Sequence, residues 1–274
     1  KRFGRGGYLP GFSEKILTEQ EIAFQAWLLT RRLAPEALAD EIRRNKKEFV
    51  ETATGFIDLV KTGLSPAEVV FEELGYSDKH RYLIDLFHSF EQWRKGQGRI
   101  SYADMLYEPV MAIHQNPPLQ RLVGNKMDLI LVDEYQDTNR AQYLLLSMLA
   151  SPVNGGHENI CVVGDEDQSI YKWRGADIHN ILDFEKEYVD AKVVKLEQNY
   201  RSSKTIIEGA GCVIANNTER KDKKLWTDNP QGAKIVQSQV PDEKVEAELV
   251  VSEIGRLARQ ENYRYDDFAI FYRT

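Results

Sequence analysis

The feature that most constrains the fold is a short apolar run that ends in two acidic residues. Leu129-Ile-Leu-Val132 is followed directly by Asp133 and Glu134. A continuous apolar run of this length is typical of a strand buried in a parallel sheet. α/β proteins bind nucleotides and Mg²⁺ at the carboxyl ends of such strands. One carboxylate can hold the metal ion, and its neighbour can orient or deprotonate a water that attacks a γ-phosphate.

The usual partner of such a strand end is a glycine-rich phosphate loop that ends in Gly-Lys-Ser or Gly-Lys-Thr. No Gly-Lys dipeptide occurs in the 274 residues. We therefore expect this sequence to carry half of a nucleotide site. As an isolated chain it should bind ATP poorly and hydrolyse essentially none.

Composition is that of a globular protein. Hydrophobic residues make up 42% of the chain and charged residues 29%. No apolar run approaches the roughly 20 residues that span a bilayer. The net charge of −7 argues against nucleic-acid binding through overall charge, although a local basic track remains compatible with it. Cys161 and Cys212 lie in apolar runs, so we predict core cysteines rather than a disulfide or metal site, and a reducing cytoplasm.

The predicted secondary structure changes near residue 100, from helices alone to alternating strands and helices. Residues 19–93 carry helical signals almost throughout, and Thr18-Glu-Gln-Glu21 has the form of a capping box. Later, β-branched runs predict strands at 129–132, 160–163, 192–196, 234–240 and 268–272. Helices are predicted near 140–150, 178–188, 203–217 and 242–260. This alternation predicts βαβ units and a parallel sheet. The region after 230 is expected to be truncated, because one strand–helix–strand unit cannot easily bury its own sheet.

The second strand end also carries polar side chains. The run Ile160-Cys-Val-Val163 leads into Gly164-Asp165 and then Gln168. A glutamine at this edge can hydrogen-bond a terminal phosphate or the attacking water without carrying charge. It is therefore suited to sensing the phosphate.

Two aromatic residues follow, with cations between them. Tyr171 and Trp173 would project from one face of an extended segment, and Lys172 and Arg174 interleave with them. Rings beside cations suit single-stranded nucleic acid, because bases stack on the rings and phosphates meet the cations. For an isolated Tyr-x-Trp, core packing is the commoner role. The position just after an acidic strand end favours the nucleic-acid interpretation.

The third predicted strand, Val193–Leu196, leads into Tyr200 and Arg201. An arginine at a strand end can neutralise charge that develops on a transferred phosphoryl group. Tyr200 offers a face for a nucleobase. Alone, a surface arginine and a packing tyrosine would be the simpler interpretation. Three successive strand ends with such residues favour a functional site.

Three stretches together resemble motifs II, III and IV of the UvrD/Rep/PcrA helicases, which belong to superfamily 1 and move 3′ to 5′ on DNA. The stretches are Val132-Asp-Glu-Tyr-Gln-Asp-Thr-Asn139, Val163-Gly-Asp-x-x-Gln-Ser-Ile-Tyr-x-Trp-Arg-Gly-Ala176 and Leu196-x-Gln-Asn-Tyr-Arg-Ser202. The recognisable part covers roughly residues 100–274. The resemblance implies an α/β fold: a partial RecA-like parallel-sheet motor core, an all-helical subdomain and the start of a second α/β domain. Residues 1–100 would be the helical 1B-like subdomain, 101–198 the 1A core and 199–274 the start of domain 2A.

The resemblance also implies roles in ATP hydrolysis. Asp133 would bind Mg²⁺, and Glu134 would be the catalytic base. Gln168 would couple the γ-phosphate to DNA. Arg201 would be an arginine finger, and Tyr200 would stack on adenine.

For DNA, the resemblance implies that Tyr171, Trp173 and Arg174 contact single-stranded DNA. The expected partners are single-stranded DNA and duplex junctions, the cofactors are ATP and Mg²⁺, and no membrane is involved. A cytoplasmic protein of repair or replication is expected. Tyr135 stands where many members of the family carry phenylalanine, a mild change.

The family's motifs I and Ia should precede the helical block, and its motifs V and VI should follow residue 274. We therefore expect these residues to be an internal fragment of a full helicase. Two alternatives stay open. One is a non-catalytic DNA-binding or adaptor relative that lost the phosphate loop, and the other is the helicase part of a RecB- or AddA-like helicase–nuclease.

Overall fold

The computed structural model describes residues 15–152, 156–218 and 220–272. Its first part is a block of helices: α1 Glu19–Leu33, α2 Ala39–Arg44, α3 Lys46–Gly63, α4 Ala67–Glu73 and α5 Tyr82–Gly96. Thr18 and Glu21 form the predicted capping box. Glu21 N–H donates to Thr18 Oγ1 (3.2 Å), and Thr18 N–H donates to Glu21 Oε2 (2.8 Å). The helical prediction for this block is confirmed.

The helical block has its own apolar core between α1, α3 and α5. On α3 the buried apolar side chains recur every three or four positions and so share one face. They are Phe49, Ala53, Phe56, Ile57 and Val60. On α5 they are Tyr82, Leu83, Ile84, Leu86, Phe87 and Phe90. Burying each large apolar side chain contributes about 1.5–3 kcal/mol, which is why the block folds around these faces.

A network of buried charges borders this core. Lys61 Nζ is fully buried and lies 2.7 Å from both Glu91 Oε1 and Asp104 Oδ1. Arg94 donates to Glu91 and Glu108, each at 2.6 Å. Burial alone would raise the pKa of Glu91, but the bonds from Arg94 and Lys61 hold that pKa below its usual value. The three carboxylates lie within 4.8 Å of one another, yet these two cations bind them. The cluster is therefore an ion network rather than a metal site.

The ion network leads into the next group of helices: α6 Asp104–His114, α7 Pro117–Gly124 and α8 Arg140–Ala150. These helices share a smaller core made of Val110, Ile113, Leu119, Val123 and Met148. Asp104 is the first residue of α6. Its bond to Lys61 therefore links the start of α6 to α3.

A two-stranded parallel sheet follows, formed by β1 Ile130–Val132 and β2 Ile160–Val162. Ile130 lies opposite Ile160, and Val132 lies opposite Val162. α8 connects the two strands, so the unit is βαβ. The predicted strands at 129–132 and 160–163 and the predicted helix at 140–150 are confirmed. The fold is a helix-rich α/β structure with a small parallel sheet, consistent with a partial motor core.

The later helices also form, with one interruption. They are α9 His179–Leu182, α10 Phe184–Glu187, α11 Lys204–Ile214 and α12 Glu243–Gln260. The helix predicted near 178–188 is split, because the chain leaves the helical path at Asp183. The helices predicted near 203–217 and 242–260 are confirmed.

The strands predicted at 192–196, 234–240 and 268–272 are wrong, since none of these described segments forms a strand. A strand exists through hydrogen bonds to a neighbouring strand, and high β-propensity does not supply that neighbour. Val194, Val236 and Phe271 are 67%, 85% and 94% exposed, so their apolar side chains also lack a packed surface. In the described part of this region, an isolated parallel bridge joins Gln198 and Trp226.

The chain divides into two compact units. The first extends to Val194 and takes in Glu219–Asp222, and the second comprises Lys195–Thr218 and Lys223–Thr274. In the second unit, Asn199 N–H donates to the carbonyl of Trp226 (2.7 Å). The assignment of residues 1–100, 101–198 and 199–274 to the three named subdomains stays a prediction.

The prediction that both cysteines are core residues is wrong. Cys161 and Cys212 are exposed free thiols. Cys161 lies opposite Leu131, which is itself 71% exposed, so this face of the sheet is open. On α11, Val213 beside Cys212 is 72% exposed. Among the described helices, none combines the length and the apolar character that crossing a bilayer requires.

Candidate functional site

The carboxyl end of β1 presents two neighbouring carboxylates at the surface. Asp133 and Glu134 are both exposed, and Glu134 N–H donates to Asp133 Oδ1 (3.0 Å). Glu134 has φ = +51°, a left-handed conformation that costs a non-glycine residue about 1–3 kcal/mol. This conformation turns the chain from β1 into the 3₁₀ helix Tyr135–Asp137. Exposed carboxylate oxygens are the ligands that suit Mg²⁺, so the donor set fits the predicted metal.

The carboxyl end of β2 lies at the same edge of the sheet. Val163 N–H donates to the carbonyl of Val132 (2.8 Å), and Tyr135 N–H donates to the carbonyl of Val163 (2.9 Å). Beyond β2, Asp165 Oδ2 accepts a hydrogen bond from the side-chain amide of Gln168 (2.7 Å). The first two predicted strand ends therefore lie together.

A buried glutamine joins the two strand ends. Gln136 is 1% exposed, and its Nε2 donates to Glu134 Oε2 at 2.7 Å. Its Oε1 accepts the main-chain N–H of Asp165 at 3.0 Å. Its main-chain carbonyl accepts the hydroxyl of Ser169 at 3.3 Å. Gln136 thus contacts the acidic end of β1 and the polar loop after β2 at once.

Gly164 makes this contact possible. A Cβ at this position would lie 2.5 Å from Gln136 Oε1 and 2.9 Å from Ile181 Cδ1. It would also lie 3.1 Å from the main-chain nitrogen of Tyr135. A side chain at this position would force Gln136 and Ile181 to shift. Glycine therefore allows the two loops to approach with Gln136 in its observed position.

The loop after β1 is held by further contacts. Asn180 Nδ2 donates to the carbonyl (3.0 Å) and the hydroxyl (3.1 Å) of Thr138. Asp177 N–H also donates to the carbonyl of Thr138 (3.1 Å). Tyr135 is 2% exposed and packs edge-on against Phe184, with ring centroids 5.7 Å apart. Burial raises the pKa of Tyr135 well above its usual value, so this side chain is a neutral support for the loop.

The aromatic pair is exposed, as nucleic-acid binding requires, but its backbone is not extended. Lys172–Arg174 is a 3₁₀ helix, so the expectation of an extended segment is wrong. Tyr171 and Trp173 are 36% and 68% exposed, which excludes the core alternative. Their ring centroids lie 6.4 Å apart with an angle of 42° between the planes. The side chain of Arg174 lies outside what the structure describes.

Tyr200 and Arg201 belong to the second compact unit and are described within it. Tyr200 is 79% exposed, and its hydroxyl donates to Gln198 Oε1 (2.7 Å). The side chain of Asn199 accepts the N–H groups of Arg201 (3.0 Å) and Ser202 (2.8 Å). This turn does not follow a strand. The expectation of a third strand end is therefore wrong, and the roles of Tyr200 and Arg201 stay predictions.

Comparison with protein families identifies both parts of the chain. Residues 11–189 match the UvrD/REP helicase N-terminal domain, and residues 194–274 match the UvrD-like helicase C-terminal domain. The chain belongs to the UvrD/Rep helicase family. The resemblance drawn from the three motifs is confirmed.

Curated relatives in the UvrD/Rep family carry the name ATP-dependent DNA helicase PcrA. The protein of Staphylococcus aureus strain Mu50 is 41% identical over 240 residues, which are 87% of this chain and 32% of the relative. That of Bacillus subtilis strain 168 is 40% identical over 230 residues, 84% of this chain and 30% of the relative. The chain therefore spans about a third of the length of the curated relatives it matches.

The site residues predicted in the first unit stay a prediction, and two residues that connect the strand ends were not among them. Gln136 and Gly164 lie inside the quoted motifs and were given no role. A polar residue between two acids, and a glycine directly after a strand, were the signals available. Their function depends on which atoms meet in space, and that is visible only in the folded chain.

Proposed function

We propose that the protein containing this chain is an ATP-dependent DNA helicase or translocase that moves 3′ to 5′ along single-stranded DNA. The observation that carries the proposal is the hydrogen-bonded junction between the two strand ends, with Glu134 on one side and Gln168 on the other. An exposed aromatic pair follows three residues after Gln168. An acid, a phosphate-sensing amide and a base-stacking surface in one short stretch suit coupling of ATP hydrolysis to DNA.

In this proposal Asp133 holds Mg²⁺, which when bound neutralises phosphate charge and orients the terminal phosphate. Glu134 accepts a proton from the attacking water. Gln168 hydrogen-bonds the γ-phosphate or that water, since its amide carries no charge to repel either. Arg201 stabilises charge on the transferred group, and Tyr200 stacks on the adenine ring. These roles rest on chemistry and on the family motifs.

Tyr171 and Trp173 act in the proposal as stacking surfaces for bases, and Arg174 meets the phosphates. Stacking of a base on an aromatic side chain is worth about 1–3 kcal/mol and tolerates any sequence. A translocating enzyme needs this tolerance. The substrates are single-stranded DNA and its junctions with duplex, in repair or replication in the cytoplasm.

The 274 residues alone are proposed to be inactive as an ATPase. None of them supplies the Gly-Lys phosphate loop that cradles the β- and γ-phosphates. The first alternative is a non-catalytic adaptor. Such a protein would have no chemical need for all four of Asp133, Glu134, Gln168 and Arg201, so their presence counts against it. The second, a helicase–nuclease, fits less well because Gln198-Asn-Tyr-Arg-Ser202 favours the simpler UvrD type.

The proposal is tested with the full-length protein on duplexes that carry a single-stranded tail. We expect ATP-dependent unwinding of substrates with a 3′ tail and ATP hydrolysis that depends on single-stranded DNA. Unwinding from 5′ tails alone would overturn the direction. DNA binding without DNA-stimulated hydrolysis would support the adaptor instead.

A further inference from the structure

We infer that Gln136 is a positioning residue that couples DNA binding to the orientation of Glu134, an inference that rests on the proposed function. Three hydrogen bonds form a continuous path. The Gln136 amide donates to Glu134 Oε2 (2.7 Å), the Asp165 main chain donates to Gln136 Oε1 (3.0 Å), and the Gln168 amide donates to Asp165 Oδ2 (2.7 Å). The path begins at the carboxylate proposed as the base and ends at the amide proposed as the phosphate sensor.

The bond to Glu134 fixes one carboxylate oxygen without neutralising it. In the described part of the chain, no other side chain donates to this carboxylate. Because the donor is a neutral amide, the charge of Glu134 is retained while its rotation is restricted. One oxygen is held by Gln136, and the other is left to face a water.

Gln136 itself has little freedom to move. It is 1% exposed, and both ends of its side-chain amide are bonded. The β2 loop also packs closely against it, since a Cβ at Gly164 would lie only 2.5 Å from Gln136 Oε1. A displacement of that loop is therefore transmitted to the amide rather than absorbed by it.

The loop after β2 also carries the aromatic pair. The Ser169 hydroxyl donates to the carbonyl of Gln136 (3.3 Å), and Tyr171 and Trp173 follow two and four residues later. In this proposal, bases that stack on these rings displace the short segment that carries them. That segment is hydrogen-bonded to Gln136 through Asp165 and Ser169. DNA occupancy thus favours one orientation of Glu134, which links binding to hydrolysis.

The test uses the full-length protein with Gln136→Leu and measures ATP hydrolysis with and without oligothymidylate. We expect the DNA-stimulated kcat, relative to the basal kcat, to fall by about tenfold or more. The Kd for labelled oligothymidylate, read by fluorescence anisotropy, should change by less than about twofold, because Gln136 is buried and the proposed stacking surfaces are Tyr171 and Trp173. The matched control is Gln142→Leu, since Gln142 caps α8 at Asn139 N–H (2.9 Å) and does not contact Glu134. The control should keep the stimulation.

A second variant addresses folding, because leucine leaves the partly buried N–H of Asp165 without its side-chain acceptor. Gln136→Glu retains the size and the acceptor for Asp165 N–H, and it replaces the donor to Glu134 with a carboxylate that repels Glu134. It should lose the stimulation as well, and circular dichroism establishes that it is folded. Combining Gln136→Leu with Gln168→Ala should cost less than the sum of the single changes, because both lie on one path.

The outcomes separate the two claims. A wild-type protein whose hydrolysis is not stimulated by DNA overturns the proposed function, and the role of Gln136 with it. Stimulation in the wild type that persists unchanged in both folded Gln136 variants overturns the coupling role alone. Additive losses in the double variant overturn the shared path.

Discussion

Lys61 and Asp104 form a fully buried ion pair, with Nζ 2.7 Å from Oδ1, between α3 of the helical block and the first residue of α6. Asp104 Oδ2 also accepts the main-chain N–H of Ser101 (2.7 Å). The pair therefore fixes the entrance to the α/β part of the first unit. In the interior, such a pair contributes little net energy, but losing one partner leaves an uncompensated charge.

Replacing Lys61 with methionine should destabilise the fold by about 3–5 kcal/mol, because Asp104 and Glu91 would lose a buried cation. Guanidinium denaturation checks this. The control is Lys47→Met. The exposed amine of Lys47 lies 3.7 Å from Glu51, so its loss should change the free energy of unfolding by less than about 1 kcal/mol. If Lys61→Met and Lys47→Met lowered the free energy of unfolding equally, the buried ion network would not be the cause of the destabilisation.

Gly164→Ala should destabilise the protein by about 1–3 kcal/mol, because the new methyl group would overlap Gln136 and Ile181. Gly55→Ala is a control for which we expect the opposite change in stability. Gly55 lies in α3 with no atom within 4 Å of the added Cβ, so alanine should stabilise by up to about 1 kcal/mol through helix propensity. Thermal unfolding of both variants measures the difference. A neutral Gly164→Ala would show that the loops can separate at little cost.

Trp173→Ala should weaken binding of oligothymidylate by about 1–3 kcal/mol, because a base loses its stacking surface. Tyr265→Ala is the control, since Tyr265 is 76% exposed and outside the aromatic pair. Fluorescence anisotropy with labelled oligonucleotide gives both affinities. Unchanged affinity in Trp173→Ala would remove this ring from the DNA site.

Glu134→Gln in the full-length protein should reduce kcat for ATP hydrolysis by about 10²–10⁴-fold, because an amide cannot accept the proton of the attacking water. ATP binding should persist, because the change keeps size and shape. Glu48→Gln, an exposed position in α3, is the matched control and should leave turnover unaltered. Turnover near the wild-type rate in Glu134→Gln would assign the base to another residue.

The carboxyl group of Glu21, in the capping box of α1, should titrate with a pKa below its usual value. The bond from Arg99 (Nη1–Oε1 2.6 Å) and the capping bonds from Thr18 lower the pKa of Glu21 from 4.5 to about 2. A lowered folded-state pKa means that this contribution to stability is present above about pH 4.5 and is lost as pH falls toward 2. Carbon-13 chemical shifts of Glu21 report the pKa directly. Arg99→Gln should return it toward 4.5, and no change on that substitution would assign the shift to the helix cap alone.

Much of the first unit could be predicted from the sequence, because its signals are local. The capping box at Thr18, the strand before Asp133 and the helix after Asn139 follow from side-chain chemistry and periodicity within a few residues. The strands near Val194, Val236 and Phe271 could not be predicted in this way, since a strand requires a partner that β-propensity does not specify. The same limit applied to Cys161, which is apolar in context and yet lies on an open face.

The sequence by itself determined the family, because the motifs around Asp133, Gln168 and Trp173 are long and ordered. Only the tertiary structure decided how these residues connect. Gln136 reaches Glu134 and Asp165 because two parallel strands end at one edge and Gly164 leaves room between their loops. Lys61 meets Asp104 because α3 packs beside α6. Such contacts join residues far apart in the chain, and their geometry depends on packing that no local pattern encodes.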